Sequence, residues 1–130
     1  MTRVVVDASA LAAVTFGEPD GVAWSRRLDG TAVFAPRLLQ YELQSVALEK
    51  CRQHPRKAAE VLTAPSRLLN PASGITWLDP DPADVVLVAN ATGLTAYDAS
   101  YLCLAGLLDA DLVTADVTLT AALDPFASSG

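Results

Sequence analysis

A three-layer α/β/α sandwich around a central, mainly parallel sheet is the fold class that this sequence predicts. Three observations point there. Short apolar runs alternate with longer segments of helical periodicity along the 130 residues. The first run, Arg3 to Val6, is β-branched with no polar alternation, as a strand buried on both faces requires. Acidic residues close strands, with Asp7 after the first and Asp116 just past the last. Right-handed crossovers between parallel strands bring the strand C-termini and the following helix N-termini to one edge of the sheet, where ligands bind in such folds.

Each element has its own local signal. Ser9 to Val14 is helical in pattern, and Asp7 is placed to cap its N-terminus. Glu18, Pro19, Asp20 and Gly21 break that pattern before a short helix over Val22 to Leu28, which carries Arg26 and Arg27. Thr31 to Ala35 reads as a second strand, and Pro36 suits the first position of a helix running to about Arg52. Leu38, Leu39, Leu43, Val46 and Ala47 form one stripe of that helix, with Glu42 at its margin. Such a carboxylate either reaches outward to water or is held inward, and held inward it needs a cation or a partner.

Residues 53–74 read as helix interrupted at Pro55, Pro65, Pro71 and Gly74, with His54 as a surface or capping residue. Ile75 to Leu78 makes a third strand. Asp81 and Pro82 open a helix through Ala91, which Thr92 and Gly93 end. Thr95 and Asp98 have the spacing of a capping box, and Ala99, Leu102, Cys103, Ala105 and Gly106 follow as a small-residue face. A turn through Asp109, Ala110 and Asp111 leads to the strand Leu112 to Thr114, then to an amphipathic segment, Leu119 to Leu123, and a small polar tail. No repeat or long linker divides the chain, so residues 1–130 are expected to form one domain.

Composition narrows the function. An apolar content of 52% is enough for a real core, and Cys51 and Cys103, among apolar neighbours, read as buried free thiols of a reducing cytoplasm. Asp7 interrupts the apolar N-terminus and no 18-residue apolar span exists, so neither a targeting segment nor a membrane span is expected. The net charge of −6 opposes a generally basic, nucleic-acid-binding surface, but it is unevenly spread. Residues 1–67 hold all nine Lys and Arg against seven acids, a balance of +2, while residues 68–130 hold eight aspartates and no base. Phosphate contacts would have to come from the first half, where Lys50, Arg52, Arg56 and Lys57 cluster.

Other acidic-pocket classes fail on particular residues. A phosphorelay receiver needs a lysine near its last strand, and none follows Lys57. A haloacid-dehalogenase phosphatase needs a second aspartate two residues after its nucleophile, where Ser9 stands. Walker, Rossmann, HExxH and zinc spacings are absent.

Four fragments, VVVDASAL at 4–11, APRLLQYELQSVAL around Glu42, LTAYDASYLCLA at 94–105 and LVTAD at 112–116, occur in an order and spacing that resembles the PIN-domain ribonucleases, most closely the VapC-type toxins of toxin–antitoxin pairs. The resemblance implies that the first and fourth strands are central neighbours, so that Asp7 and Asp116 meet while Glu42 and Asp98 reach in from helices. It assigns these four residues to an acidic metal site, with Ser9 and Thr114 supporting it by hydrogen bonds. Carboxylates so gathered repel one another unless a hard cation such as Mg²⁺ or Mn²⁺ is present, and such a metal activates water for phosphodiester hydrolysis. Without metal, at least one of the four should titrate above its ordinary range, and Asp7→Asn should relieve repulsion and stabilise the fold. An RNA substrate, a cognate antitoxin and a homodimer are the implied partners. Relatives often carry a base soon after the last aspartate, where this chain has Val117 and Thr118. The competing expectation is a PIN-like protein- or RNA-binding module without catalysis.

Overall fold

The computed structural model describes residues 1–123; the polar tail expected from the sequence lies outside the described residues. Four strands, β1 (Arg3–Val6), β2 (Ala32–Ala35), β3 (Thr76–Trp77) and β4 (Asp111–Val113), form one sheet in the order β3-β2-β1-β4. Every pairing is parallel. The helices are α1 (Ala8–Thr15), α2 (Gly21–Leu28), α3 (Leu38–Gln53), α4 (Ala58–Leu69), α5 (Pro82–Thr92), α6 (Ala96–Leu108) and α7 (Val117–Leu123). They flank the sheet as two packed groups, α1 to α4 and α5 to α7. Val4, Val5 and Val6 of β1 are buried, as the uninterrupted β-branched run requires of a central parallel strand. Leu11, Leu39, Leu43, Tyr101, Leu104, Val113 and Leu119 surround them.

Local signals set most boundaries. Asp7, Asp81 and Thr95 are N-caps whose side chains accept from the amides of Ala10, Ala83 and Asp98, and Gly93 ends α5 in the left-handed region at φ 76°. Both cysteines are free, with Cys103 buried.

Three local expectations are corrected. Helix α3 starts at Leu38 rather than at Pro36, because the amides of Leu39 and Gln40 donate to the carbonyls of Pro36 and Arg37 in a tighter i→i+3 turn. Pro65 does not interrupt its helix but lies inside α4 with its ring buried, so packing holds a residue that local preference would expel. The inner face of α6 includes Tyr101 and Leu104, both buried, while Gly106 is exposed. Large side chains on α6 span the gap to α3 and the sheet, which a stripe of small residues could not fill.

Candidate active site

Asp7 does two things at once. It caps α1 through Oδ1, which accepts from the Ala10 amide at 3.1 Å, and it terminates β1 beside β4, with its own amide donating to the Val113 carbonyl at 3.2 Å. The same Oδ1 accepts from the Ser9 hydroxyl at 2.7 Å, and Oδ2 accepts from the Thr114 hydroxyl. With Asp7 only 5% exposed, these donors replace the water that a buried carboxylate would otherwise lack. Each hydroxyl has one proton and gives it to Asp7, so the 3.3 Å approach between Ser9 Oγ and Thr114 Oγ1 is a contact between two committed groups.

Those hydroxyls also order the segment after β4. Ser9 Oγ accepts from the Ala115 amide at 2.9 Å, and Thr114 Oγ1 from the Asp116 amide at 3.0 Å. Ser9 and Thr114 therefore fasten the start of α1 to the end of β4. Asp116 then opens α7, with Oδ1 accepting from the Leu119 amide at 3.0 Å.

Asp98 lies in the first turn of α6, where its amide donates to Thr95 Oγ1 at 3.2 Å. Burial raises its carboxyl above the usual range, the charges of Asp116 and Asp7 add to the rise, and the Thr95 hydroxyl opposes it. Glu42, from α3, is half-buried and turned inward. Its Oε1 accepts from the Tyr101 hydroxyl at 2.6 Å, a bond spanning 59 residues of sequence. Burial raises the Glu42 carboxyl, the Tyr101 bond opposes this, and the charges of Asp98 and Asp7 add to it. Tyr101 is 1% exposed, and burial, its bond to Glu42 and the nearby carboxylates push its hydroxyl far above the ordinary range. At neutral pH it is therefore the donor of the bond to Glu42.

Tyr101 is the site residue that sequence reasoning missed. Leu94, Tyr101, Leu104 and Leu108 recur at helical spacing and could have exposed it, but they were subordinate to the small residues between them.

Glu42 thus feels the charges of Asp98 and Asp7, and Asp98 those of Asp116 and Asp7, yet the four carboxylates are not drawn into one ligand shell. Among the described residues, no group of three or more His, Cys, Asp and Glu side chains is arranged to hold a metal ion. Asp7, Glu42 and Asp116 instead spend oxygens on hydroxyl or amide donors. The donor set itself is all oxygen and anionic, the chemistry that a hard divalent cation takes, and the raised Glu42 and Asp98 are the groups whose repulsion such a cation would relieve.

A parallel α/β sheet in which the neighbouring strands β1 and β4 are each followed by an aspartate, β4 being an edge strand among the described residues rather than the central one expected from the sequence, with further carboxylates approaching from flanking helices, defines the class: a PIN-like, nuclease-type fold. Residues 4–122 match the PIN domain family, and the chain belongs to that family. A solved structure, PAE2754 from Pyrobaculum aerophilum, is similar over 93% of this chain and 84% of its own, at 30% identity and a TM-score of 0.74. No curated protein matches the chain. PIN domains are typically metal-dependent nucleases. Among the described residues no helix is long and apolar enough to cross a membrane.

Proposed function

We propose that this protein is a metal-dependent endoribonuclease and the VapC-type toxin of a type II toxin–antitoxin pair, acting in the cytoplasm as one domain over residues 1–130. Asp7, Glu42, Asp98 and Asp116 hold Mg²⁺ or Mn²⁺. Bound there, the ion supplies an activated water and charge neutralisation at the scissile phosphate. Asp7 is the fixed point, Ser9 and Thr114 hold it and the Asp116 segment in place, and Tyr101 orients Glu42.

The observation that carries this reading is Asp7: a buried carboxylate at the end of a central strand, tied through Thr114 to the segment bearing Asp116. A helix cap alone needs no burial on that scale and no hydrogen-bonded tie to the segment after β4. A homodimer is supported by an apolar recess on α5 and α6, where Val86 and Tyr97 stay exposed beside Leu38, Pro80 and Pro82. The antitoxin is expected to mask the acidic edge with basic side chains until it is removed.

Purified protein free of any partner should cleave RNA in Mg²⁺ or Mn²⁺ and stop in EDTA. Asp98→Ala and Asp116→Ala should each reduce cleavage by about a hundredfold or more, the scale of losing a group that organises a charged transition state. Cleavage in EDTA, or undiminished cleavage by both variants, would sink the reading. The rival, a binding module without catalysis, draws on the absence of a closed ligand group among the described residues. A calorimetric Mn²⁺ titration separates the two, since the rival shows no saturable heat that Asp98→Ala abolishes.

A further inference from the structure

A cationic feature lies apart from the four acids. A cavity of about 480 Å³ is lined by Thr15, Phe16 and Gly17 at the end of α1, by Lys50 and His54 of the α3 terminus, by Lys57 just before α4, and by one face of α4 that includes Arg67. Lys57, Val61, Ala64 and Arg67 recur at helical spacing, so this lining is a continuous stripe rather than scattered surface charge. Lys50 is pinned at the rim, with Nζ 3.1 Å from Glu18 Oε1 and 5.3 Å over the Phe16 ring. Lys57 and Arg67 differ from it. Both are exposed, and among the described residues neither has a carboxylate within 4.0 Å. Glu60 is the one acid in the lining.

We propose that this cavity docks the phosphate backbone of the RNA substrate, with Lys57 and Arg67 contacting phosphates and Lys50 setting the rim. The identity of the polyanion rests on the ribonuclease reading above. Two physical facts support the placement. A carboxylate edge repels a polyanion before any cation screens it, and the second half of the chain adds eight aspartates and no base, so approach must be guided from the first half. Helix α3 also joins the two places: Lys50 lies eight residues beyond Glu42, about 12 Å along the axis. A strand seated in the cavity and following α3 reaches the acids.

The test is fluorescence anisotropy of a short labelled oligouridine in EDTA over a series of salt concentrations, together with steady-state cleavage in Mn²⁺. Lys57→Ala/Arg67→Ala removes two exposed side chains and should leave the thermal melt unchanged. It should weaken binding by on the order of tenfold at 0.1 M salt and flatten the salt dependence by about 0.7 per lost contact. In cleavage, KM should rise while kcat holds. Arg26→Ala/Arg27→Ala on α2 is the control and should change neither. Unchanged affinity and salt slope in the first variant, an equal loss in the control, or a polyglutamate peptide binding the cavity more tightly than the RNA would overturn the proposal, the last in favour of an acidic protein partner. Binding that depends on Lys57 and Arg67 without cleavage in any divalent metal would sink the nuclease reading and leave the docking site standing. Cleavage with an unaltered KM in the double variant would do the reverse.

Discussion

Tyr101 and Asp7 show how much a single hydroxyl or carboxyl decides here. The Tyr101 hydroxyl is the donor that offsets the burial of Glu42. Tyr101→Phe keeps the ring and its packing but leaves Glu42 without that bond. At neutral pH the variant should lose about 1 kcal/mol, the scale of one hydrogen bond to a charged group after partial solvent screening. The loss should shrink near pH 4, where Glu42 binds a proton and no longer needs the donor. Urea midpoints at pH 4 and 7.5 measure it, and equal losses at both would mean that the bond does not serve the charged form. For Asp7, the expectation that an amide would relieve repulsion is revised. Oδ2 accepts a hydrogen bond from Thr114, which an amide nitrogen in its place cannot do. Asp98 is the better position at which to remove charge.

At the scale of elements, the entry into α2 is set by a close approach. A Cβ on Gly21 would stand 2.3 Å from the Ala13 carbonyl oxygen, backbone that cannot move aside without separating α1 from α2. Gly21→Ala should therefore cost about 1–3 kcal/mol, the range for overpacking. Gly106, exposed near the end of α6, has open space where a Cβ would go. Gly106→Ala should stabilise by about 0.5–1 kcal/mol through helix propensity alone. Paired thermal melts read the contrast, and a sign reversal at either glycine would contradict the packing described. Elsewhere the chain is tied by ion pairs, Lys50 of α3 to Glu18 in the α1–α2 turn at 3.1 Å and Arg37, just before α3, to Asp79 before α5, where the Arg37 amide also donates to the carboxylate. These ion pairs are partly or largely exposed and contribute little individually.

For the whole molecule, the acidic edge makes stability depend on pH. Glu42 and Asp98 titrate above their ordinary values in the folded state, so the folded chain holds protons that the unfolded chain has released. Their stabilising contribution is full below about pH 4, the unfolded range, and is lost as pH rises through the raised folded values. Metal-free protein should therefore show a lower urea midpoint at pH 7.5 than these two groups allow at pH 5. Mg²⁺ should restore it under the proposed function. Asp98→Asn in EDTA at pH 7.5 should recover a few tenths of a kcal/mol, because the carboxyl is part-exposed and solvent screens its neighbours. A midpoint that Mg²⁺ never moves, in wild type or variant, would argue that the four acids hold no ion.

The fold class, the order and type of the elements and the N-caps at Asp7, Asp81 and Thr95 were legible in the sequence, because each depends on dihedral preferences and hydrogen bonds within a few residues. The four acids were also legible as candidates, through their positions at strand and helix ends. Tertiary structure decided what lies between them. Glu42 sat at the margin of an apolar stripe and could have faced either way until α6 placed the Tyr101 hydroxyl against it from 59 residues away. Thr114 reaches Asp7 across 107 residues only because β4 pairs with β1. Pro65 stays helical because its ring is buried, and the cationic cavity exists because α4 returns alongside the ends of α1 and α3. Each of these depends on which distant surfaces meet, and local propensity carries no information about that.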